Sequence, residues 1–313
     1  MIVTCTPNPS LDRTIEIDTL RRGEVQRVGA VGVQPGGKGI NVARALYRNG
    51  HDTLAVVPLG GAEGELFTAL ANSAGVPLSP VRLDAPVRVN VTLAEADGTT
   101  TKLNDNGAPL DPRARAKLLD ATLRAATGAR WVAGCGSLPP GAGDDFYAEL
   151  VAGVRVTGAR VAIDTSGPAL QAAVRARPEL IKPNHHELAE LIGDDLKTFG
   201  DVVDAGRDVI ARGVAAVLVS LGGDGALLIT DAGVWFGESD AVNVRSTVGA
   251  GDAMLAGFLA DGGRDATALA RGVTWAAAAV GLSGSTMPGG EDMRPGLVRV
   301  FDEFEPDRVL KDA

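Results

Sequence analysis

Residues 32–46 read GVQPGGKGINVARAL, and the rest of the chain is fitted to a different fold depending on what that run is. Gly32, four residues, Gly37 and Lys38 have the spacing of a P-loop, whose backbone N–H groups cradle nucleotide phosphates. A P-loop continues with Ser or Thr to hold magnesium. Position 39 is glycine instead. The run is either a degraded nucleotide loop or a glycine-rich loop built for another ligand. Residues 40–49, which follow, have helical spacing and stop at Gly50, a usual residue just past a helix end.

Working outward, apolar runs bounded by Gly, Pro or Asn occur at 2–6, 53–59, 130–135, 160–164, 180–182 and 215–221. They are continuously apolar rather than alternating, which predicts parallel strands covered on both faces. Helical patterns separate them at 63–74, 112–126, 144–154, 184–191 and 201–212. The second of these opens on Asp111-Pro112, a cap followed by proline at the first helical position. Strand and helix in alternation predict an α/β fold of three layers, with a mostly parallel central sheet between helices. Two regions break the rhythm. Residues 13–17 with 25–33, and 87–93 with 100–104, read as short antiparallel strands, the second pair turning at Asp97-Gly98. Together they predict a small β lid inserted at about 13–33 and 87–104. Near the C-terminus, 226–230, 234–236 and 241–244 read as a strand meander, followed by helices at 250–261 and 265–283. No linker divides the chain, so 1–313 reads as one domain.

Composition narrows the function. The chain has 313 residues and a formal charge of −9 with no basic block, which argues against nucleic acid as a partner. A local cationic pocket for a small anion stays open. Two cysteines, Cys5 and Cys135, read as small buried thiols of a reducing compartment. The start, MIVTCTPNPSLDRT, does not read as a signal peptide. The longest apolar run, around 275–282, is too short to span a bilayer. A cytoplasmic protein without a membrane partner is expected. The only histidines are His51, His185 and His186, a poor basis for a metal site.

Four segments carry chemistry. In STVGAGDAMLAGFLA, residues 246–260, Gly249, Ala250 and Gly251 enter a helix and leave its first N–H groups bare for negative charge. Asp252 lies in the first turn of that helix. A carboxylate beside an anion hole suits phosphoryl transfer, the carboxylate taking a proton from the attacking hydroxyl. Alternatively, Asp252 is only a favourable charge at a helix start. In KPNHHEL, Asn184 and Glu187 share one face at a helix start, either to hold magnesium through water or to form a capping box. VSLGGDGALL places Ser220, Gly222, Gly223 and Gly225 after a buried strand, and AGCGSLPPG places Ser137 at the end of another. Ligands collect at the carboxyl ends of parallel strands. The dinucleotide-binding fingerprint and the nucleophile elbow are both missing.

Taken together, PGGKGINVARAL and STVGAGDAMLAGF resemble the two signatures of the ribokinase-like carbohydrate kinase family, also called the PfkB family. NPSLD, GSLPPG, KPNHHEL and VSLGGDGAL fall where that family has them, so the resemblance runs nearly end to end. Ser246-Thr247, where the wider family has Asp-Thr, is similar to its phosphosugar branch. The resemblance implies a kinase using ATP and Mg2+, with Asp252 as catalytic base and Gly249, Ala250 and Gly251 as the anion hole. It implies that Asp12, Gly37, Asn41 and Ser137 hold the sugar, and that Gly36, Gly37 and Gly39 let the backbone approach it closely. Lys182, Asn184 and Glu187 would lie near the ATP phosphates and magnesium, and Ser220, Gly222, Gly225 and Val248 would border the nucleotide. Two copies would pair through the lid.

The acceptor sugar is expected to carry a phosphate already. Arg88 and Asn90 stand two apart on one lid strand, hence on one face. Arg27 and Lys38 are further cations directed at the same anion. Similarity to the phosphosugar branch implies fructose 1-phosphate as acceptor and fructose 1,6-bisphosphate as product, with tagatose 6-phosphate or fructose 6-phosphate as alternatives. A non-catalytic sugar or nucleotide sensor on the same fold, and an oxidoreductase on a doubly wound sheet, are the rivals from other classes. The opening loop, having no hydroxyl for magnesium, then belongs to the sugar side.

Overall fold

A computed structural model describes residues 1–240 and 243–311. From the N-terminus, strands β1 (Ile2–Cys5), β2 (Ser10–Ile17) and β3 (Val31–Gly36) lead into helix α1 (Lys38–Arg48). Next come β4 (Thr53–Leu59), α2 (Gly61–Ser73), β5 (Leu78–Arg82), β6 (Arg88–Glu95) and β7 (Thr100–Leu103). The middle of the chain alternates α3 (Pro112–Ala126), β8 (Trp131–Cys135), α4 (Phe146–Arg155), β9 (Arg160–Asp164), α5 (Gly167–Arg175) and β10 (Leu180–Ile181). It continues through α6 (His185–Ile192), α7 (Phe199–Ala211), β11 (Ala216–Ser220), β12 (Ala226–Thr230) and β13 (Val234–Ser239). Helices α8 (Ala250–Asp261) and α9 (Ala266–Val280) precede a final strand, β14 (Val298–Phe301).

Among the described residues ten strands form one sheet, in the order β14-β13-β12-β11-β10-β9-β8-β1-β4-β5. From β11 to β5 every neighbouring pair is parallel. The uniform apolarity of these strands has the expected cause, because alternate residues feed two separate cores. Val217 and Val219 pack with α3 to α7 on one face, while Ala216 and Leu218 pack with α1, α8 and α9 on the other. The carboxyl ends of β1, β8, β9, β10 and β11 therefore open along one edge of the sheet, where ligands of such folds bind. Among the described residues no helix is long and apolar enough to cross a membrane.

The remaining strands form a second sheet in the order β3-β2-β6-β7. Its outer pairs are antiparallel as expected, but β2 and β6 pair in parallel, with Ser10 beside Arg88 and Ile17 beside Glu95. That pairing joins two segments of the lid across β3, α1, β4, α2 and β5, beyond the reach of any hairpin signal. Strand β3 begins only at Val31, so most of 25–33 is irregular. The expected meander strand at 241–244 begins on Ala241 and Val242, which lie outside the described residues. On its other side from β12, β13 pairs with β14, some 60 residues on. Asp224, inside the turn between β11 and β12, is buried. It accepts hydrogen bonds from the Arg308 guanidinium at 2.9 Å and the Lys311 backbone N–H at 2.8 Å.

Between Asp252 and Asp261 helix α8 is apolar on every face, as a helix buried on all sides must be. Its contact with α9 is close because Gly257 has no side chain. A Cβ there would stand 2.8 Å from the Arg271 carbonyl oxygen and 2.9 Å from Trp275 Cγ. Alanine is the better helix former by about 1 kcal/mol, yet overpacking of this kind costs about 1–3 kcal/mol. Gly257→Ala is therefore expected to lower Tm in a thermal melt; a raised Tm would mean the two helices have room to part.

Candidate active site

Helices α1 and α8 meet at the open edge of the sheet, and each brings a polar residue into an otherwise apolar contact. Asn41, in the first turn of α1, donates from Nδ2 to Asp252 Oδ2 at 2.9 Å, and both residues are buried. Gly249, the residue capping α8, is left-handed at φ 80°, which turns the chain sharply enough to point the helix start into the site. The N–H groups of a first helical turn have no intrahelical acceptor and suit negative charge, although the Ala250 N–H donates to the Thr247 carbonyl at 3.4 Å.

Beside this pair lies a cluster of charges. Asp164 ends β9 with no exposed surface, between Lys38 Nζ at 2.7 Å and Lys182 Nζ at 3.1 Å. Lys38 also approaches Glu187 Oε1 at 3.7 Å. Lys182 reaches the start of α8, its Nζ lying 3.3 Å from where a Cβ on Gly251 would be. Burial works to raise the Asp164 carboxyl, but Lys182 and Lys38 outweigh it and hold Asp164 below the ordinary carboxylate range. Asp252 goes the other way. Burial first, and the negative charge of Asp164 second, push it from 3.8 up to about 6 against the pull of Lys38, Asn41 and Lys182.

Asn184 and Glu187 form the reciprocal capping box of α6: Asn184 Oδ1 accepts from the Glu187 N–H, and Glu187 Oε2 from the Asn184 N–H. The capping-box reading of KPNHHEL is formed, and the other Glu187 oxygen, Oε1, faces Lys38. No group of three or more His, Cys, Asp or Glu side chains among the described residues forms a cage for a metal. One outward carboxylate oxygen beside lysines suits magnesium that arrives with phosphates and keeps most of its water. Ser220 pairs with Asn184 in an isolated parallel bridge, and Gly222 opens a tight 3₁₀ turn next to it. Val248 donates its N–H to Ser246 Oγ at 3.2 Å in the approach to α8.

The sugar-side candidates gather at the base of the lid. Asp12 Oδ1 accepts from Ser10 Oγ at 2.7 Å and from Asn90 Nδ2 at 3.0 Å. Arg88 donates to the Asp105 and Asn8 carbonyls at 2.7 and 3.0 Å, and its buried Nε has no acceptor among the described residues. Arg88, Asn8, Asn104 and Ser137 line one open cleft.

Lys38 is held on Asp164 at 2.7 Å and faces Glu187 at 3.7 Å, while Arg88 donates to the Asp105 and Asn8 carbonyls. Two expectations differ from this arrangement. Arg27 is exposed near Glu16, Asp18 and Glu95, at the far end of the lid. By the β2–β6 register that end is seven residues from Arg88, roughly 23 Å along the strand. The glycines of the opening loop make room for the protein itself. A Cβ on Gly36 would collide with the Asp12 carboxylate, and one on Gly39 with the Thr6 hydroxyl. Gly37, at φ 114°, is the N-cap residue of α1.

Asp164 escaped the sequence reading. Its signal was available, as the single charge ending the buried run RVAID at a strand's carboxyl end.

The pfkB family carbohydrate kinase profile matches residues 6–289. A 1-phosphofructokinase of Rhodobacter capsulatus is 41% identical over 82% of this chain and 82% of its own. An ATP-dependent 6-phosphofructokinase isozyme 2 of Mycobacterium tuberculosis is 37% identical over 82% of this chain and 76% of its own. Among solved structures, phosphofructokinase-2 of Escherichia coli in complex with substrates and products superposes with a TM-score of 0.88 at 33% identity. That match covers 93% of this chain and 96% of the other.

A folded-state value near 6 for Asp252, above its ordinary 3.8, has a definite sign. Between those values the folded protein holds a proton that the unfolded chain releases, so stability falls as pH rises through that window. Above it, ionised Asp252 is a standing cost. Asp252→Asn is expected to raise Tm at pH 8 by about 2 °C or more, the gain shrinking below pH 6. Equal melts for the two proteins at pH 8 would refute it.

Proposed function

The chain belongs to the pfkB family of carbohydrate kinases, and we propose that its acceptor is fructose 1-phosphate, which it converts with ATP to fructose 1,6-bisphosphate and ADP. The observation that carries this reading is Asp252. It is buried, held by Asn41, raised toward neutrality, and set beneath the N-terminus of α8. Asp252 accepts the proton of the sugar's free primary hydroxyl as that oxygen attacks the γ-phosphorus, and ADP leaves with the pair of electrons from the broken P–O bond. The N–H groups at Gly249–Gly251 face the charge on the transferring group. Lys182, beside them, and Lys38 add positive charge, and Asn184, Ser220, Gly222, Gly225 and Val248 border the nucleotide. Magnesium would neutralise phosphate charge when bound with ATP, and Glu187 with Asn184 would hold it through water.

Asp12, Asn90 and Ser137 are assigned to the sugar hydroxyls. Arg88 lines the same open cleft as Ser137, which supports it as the group that reads the sugar's phosphate. Exposed apolar side chains on the lid, Val25 at 99%, Leu103 at 58% and Val31 at 52%, support pairing of two copies there. The 6-phosphofructokinase relative favours a second reading, with fructose 6-phosphate as the acceptor.

Turnover measured with fructose 1-phosphate, fructose 6-phosphate, tagatose 6-phosphate and unphosphorylated sugars decides the acceptor. The highest kcat/KM is expected for fructose 1-phosphate, and a preference for either 6-phosphate overturns that choice. Asp252→Asn is expected to lower kcat by at least about 10²-fold with ATP still bound. Arg88→Ala should raise KM for the phosphosugar and leave KM for ATP unchanged. If neither constant moves, another residue reads the phosphate.

A further inference from the structure

Asn41 has two ends, and different neighbours read them. Its Nδ2 donates to Asp252 Oδ2 at 2.9 Å, while its Oδ1 accepts from Arg44 Nη1 at 3.3 Å. A guanidinium has donors only and keeps its charge at any working pH. Were the amide turned over, its oxygen would face the Asp252 carboxylate and its NH2 would face the guanidinium. Both contacts would become repulsive, so Arg44 permits one orientation. Asn41 and Arg44 stand three apart on α1 and thus share a helix face.

Arg44 is itself braced from two other parts of the chain. Its Nη2 donates to Gln34 Oε1 at 3.3 Å, and its Nη1 also reaches the Pro35 carbonyl at 3.5 Å and the Ser285 carbonyl at 3.2 Å. Ser285 Oγ donates to the same Gln34 oxygen at 3.0 Å. Gln34 and Pro35 belong to β3 of the lid, and Ser285 to the segment after α9. Lid, α1, the segment after α9, and Asp252 are thereby joined through four side chains.

We infer that Arg44 is a positioning residue for phosphoryl transfer: braced by Gln34 of the lid and by Ser285, it fixes the Asn41 amide so that only its NH2 meets Asp252. The lid then governs the base through this contact. An N–H donated to a carboxylate favours the ionised form, so freeing the amide should make Asp252 harder to ionise. The other charges facing Asp252 are Asp164 at the end of β9, Lys38 on α1 and Lys182 after β10. Those facing Arg44 are Asp12 on β2 and Arg48 on α1. All five remain in the variants below.

The inference rests on Asp252 being the base, and Asp252→Asn tests that point separately. If Asp252→Asn turns over normally, the base assignment fails whatever Arg44 does. If Asp252→Asn is inactive, the pH profiles of Arg44→Met and Gln34→Ala decide the role of Arg44. Arg44→Met is expected to lower kcat roughly tenfold, the size of a misplaced catalytic group, with KM for ATP unchanged. The acid limb of its kcat profile should move upward by about half a pH unit or more. Gln34→Ala should move the limb the same way by less. A merely structural arginine would lower Tm without moving the limb. Profiles of both variants that superpose on the parent overturn the inference. Should Arg44→Met fail to fold, Gln34→Ala decides alone: an upward shift supports the relay, and an unshifted limb overturns it.

Discussion

Asp164 is a carboxylate with no exposed surface between two ammonium groups, and the rest of the site is arranged around it. A charge so placed must be matched, since leaving one member of such a pair alone costs about 3–5 kcal/mol. Lys38 and Lys182 match it and in doing so fix where α1 and the end of β10 stand relative to β9. Glu187 takes up part of Lys38. Two positive and three negative groups then occupy one small volume, and one negative charge is left over. That charge falls on Asp252, the residue with burial and Asp164 against it. Burial first and the Asp164 charge second raise the proton affinity of Asp252, and the two lysines offset part of that rise.

Where the sequence was legible, local pattern and tertiary placement agreed. Helix α8 and its Gly-Ala-Gly entry could be read because an all-apolar helix with small residues at its start has few other uses. The capping box of Asn184 and Glu187 could be read from spacing alone. Legibility failed where partners are distant in the chain. Strand β5 contains Pro80 at the sheet edge, β14 is four residues long, and the parallel pairing of β2 with β6 has no local signal. Helix α5 was hidden behind Gly167-Pro168, which reads as a turn yet stands at the helix start. Asp164 was missed because a strand reading records its apolar residues and stops at the first charge.

The loop at residues 32–46 shows how one motif serves other contacts than its composition suggests. Its glycines leave room for the Asp12 carboxylate and the Thr6 hydroxyl. Its lysine answers Asp164, and its asparagine holds Asp252. The loop joins the lid to the sheet, so its small residues and its charged one position two other segments. The missing hydroxyl at position 39 is consistent with this, because Gly39 packs directly on Thr6.

The bond between Asp224 and the C-terminal segment has a consequence for the order of assembly. Asp224 lies in the turn proposed for the nucleotide, and its counter-charges, the Arg308 guanidinium and the Lys311 ammonium, come from 84 and 87 residues downstream. A ribosome adds about 5–20 residues per second. The turn therefore waits roughly 4 to 17 s after Asp224 is made before Arg308 and Lys311 exist to neutralise it. A nascent chain therefore carries Asp224 without the two basic side chains that pair with it in the finished fold until residues 308 and 311 have been added.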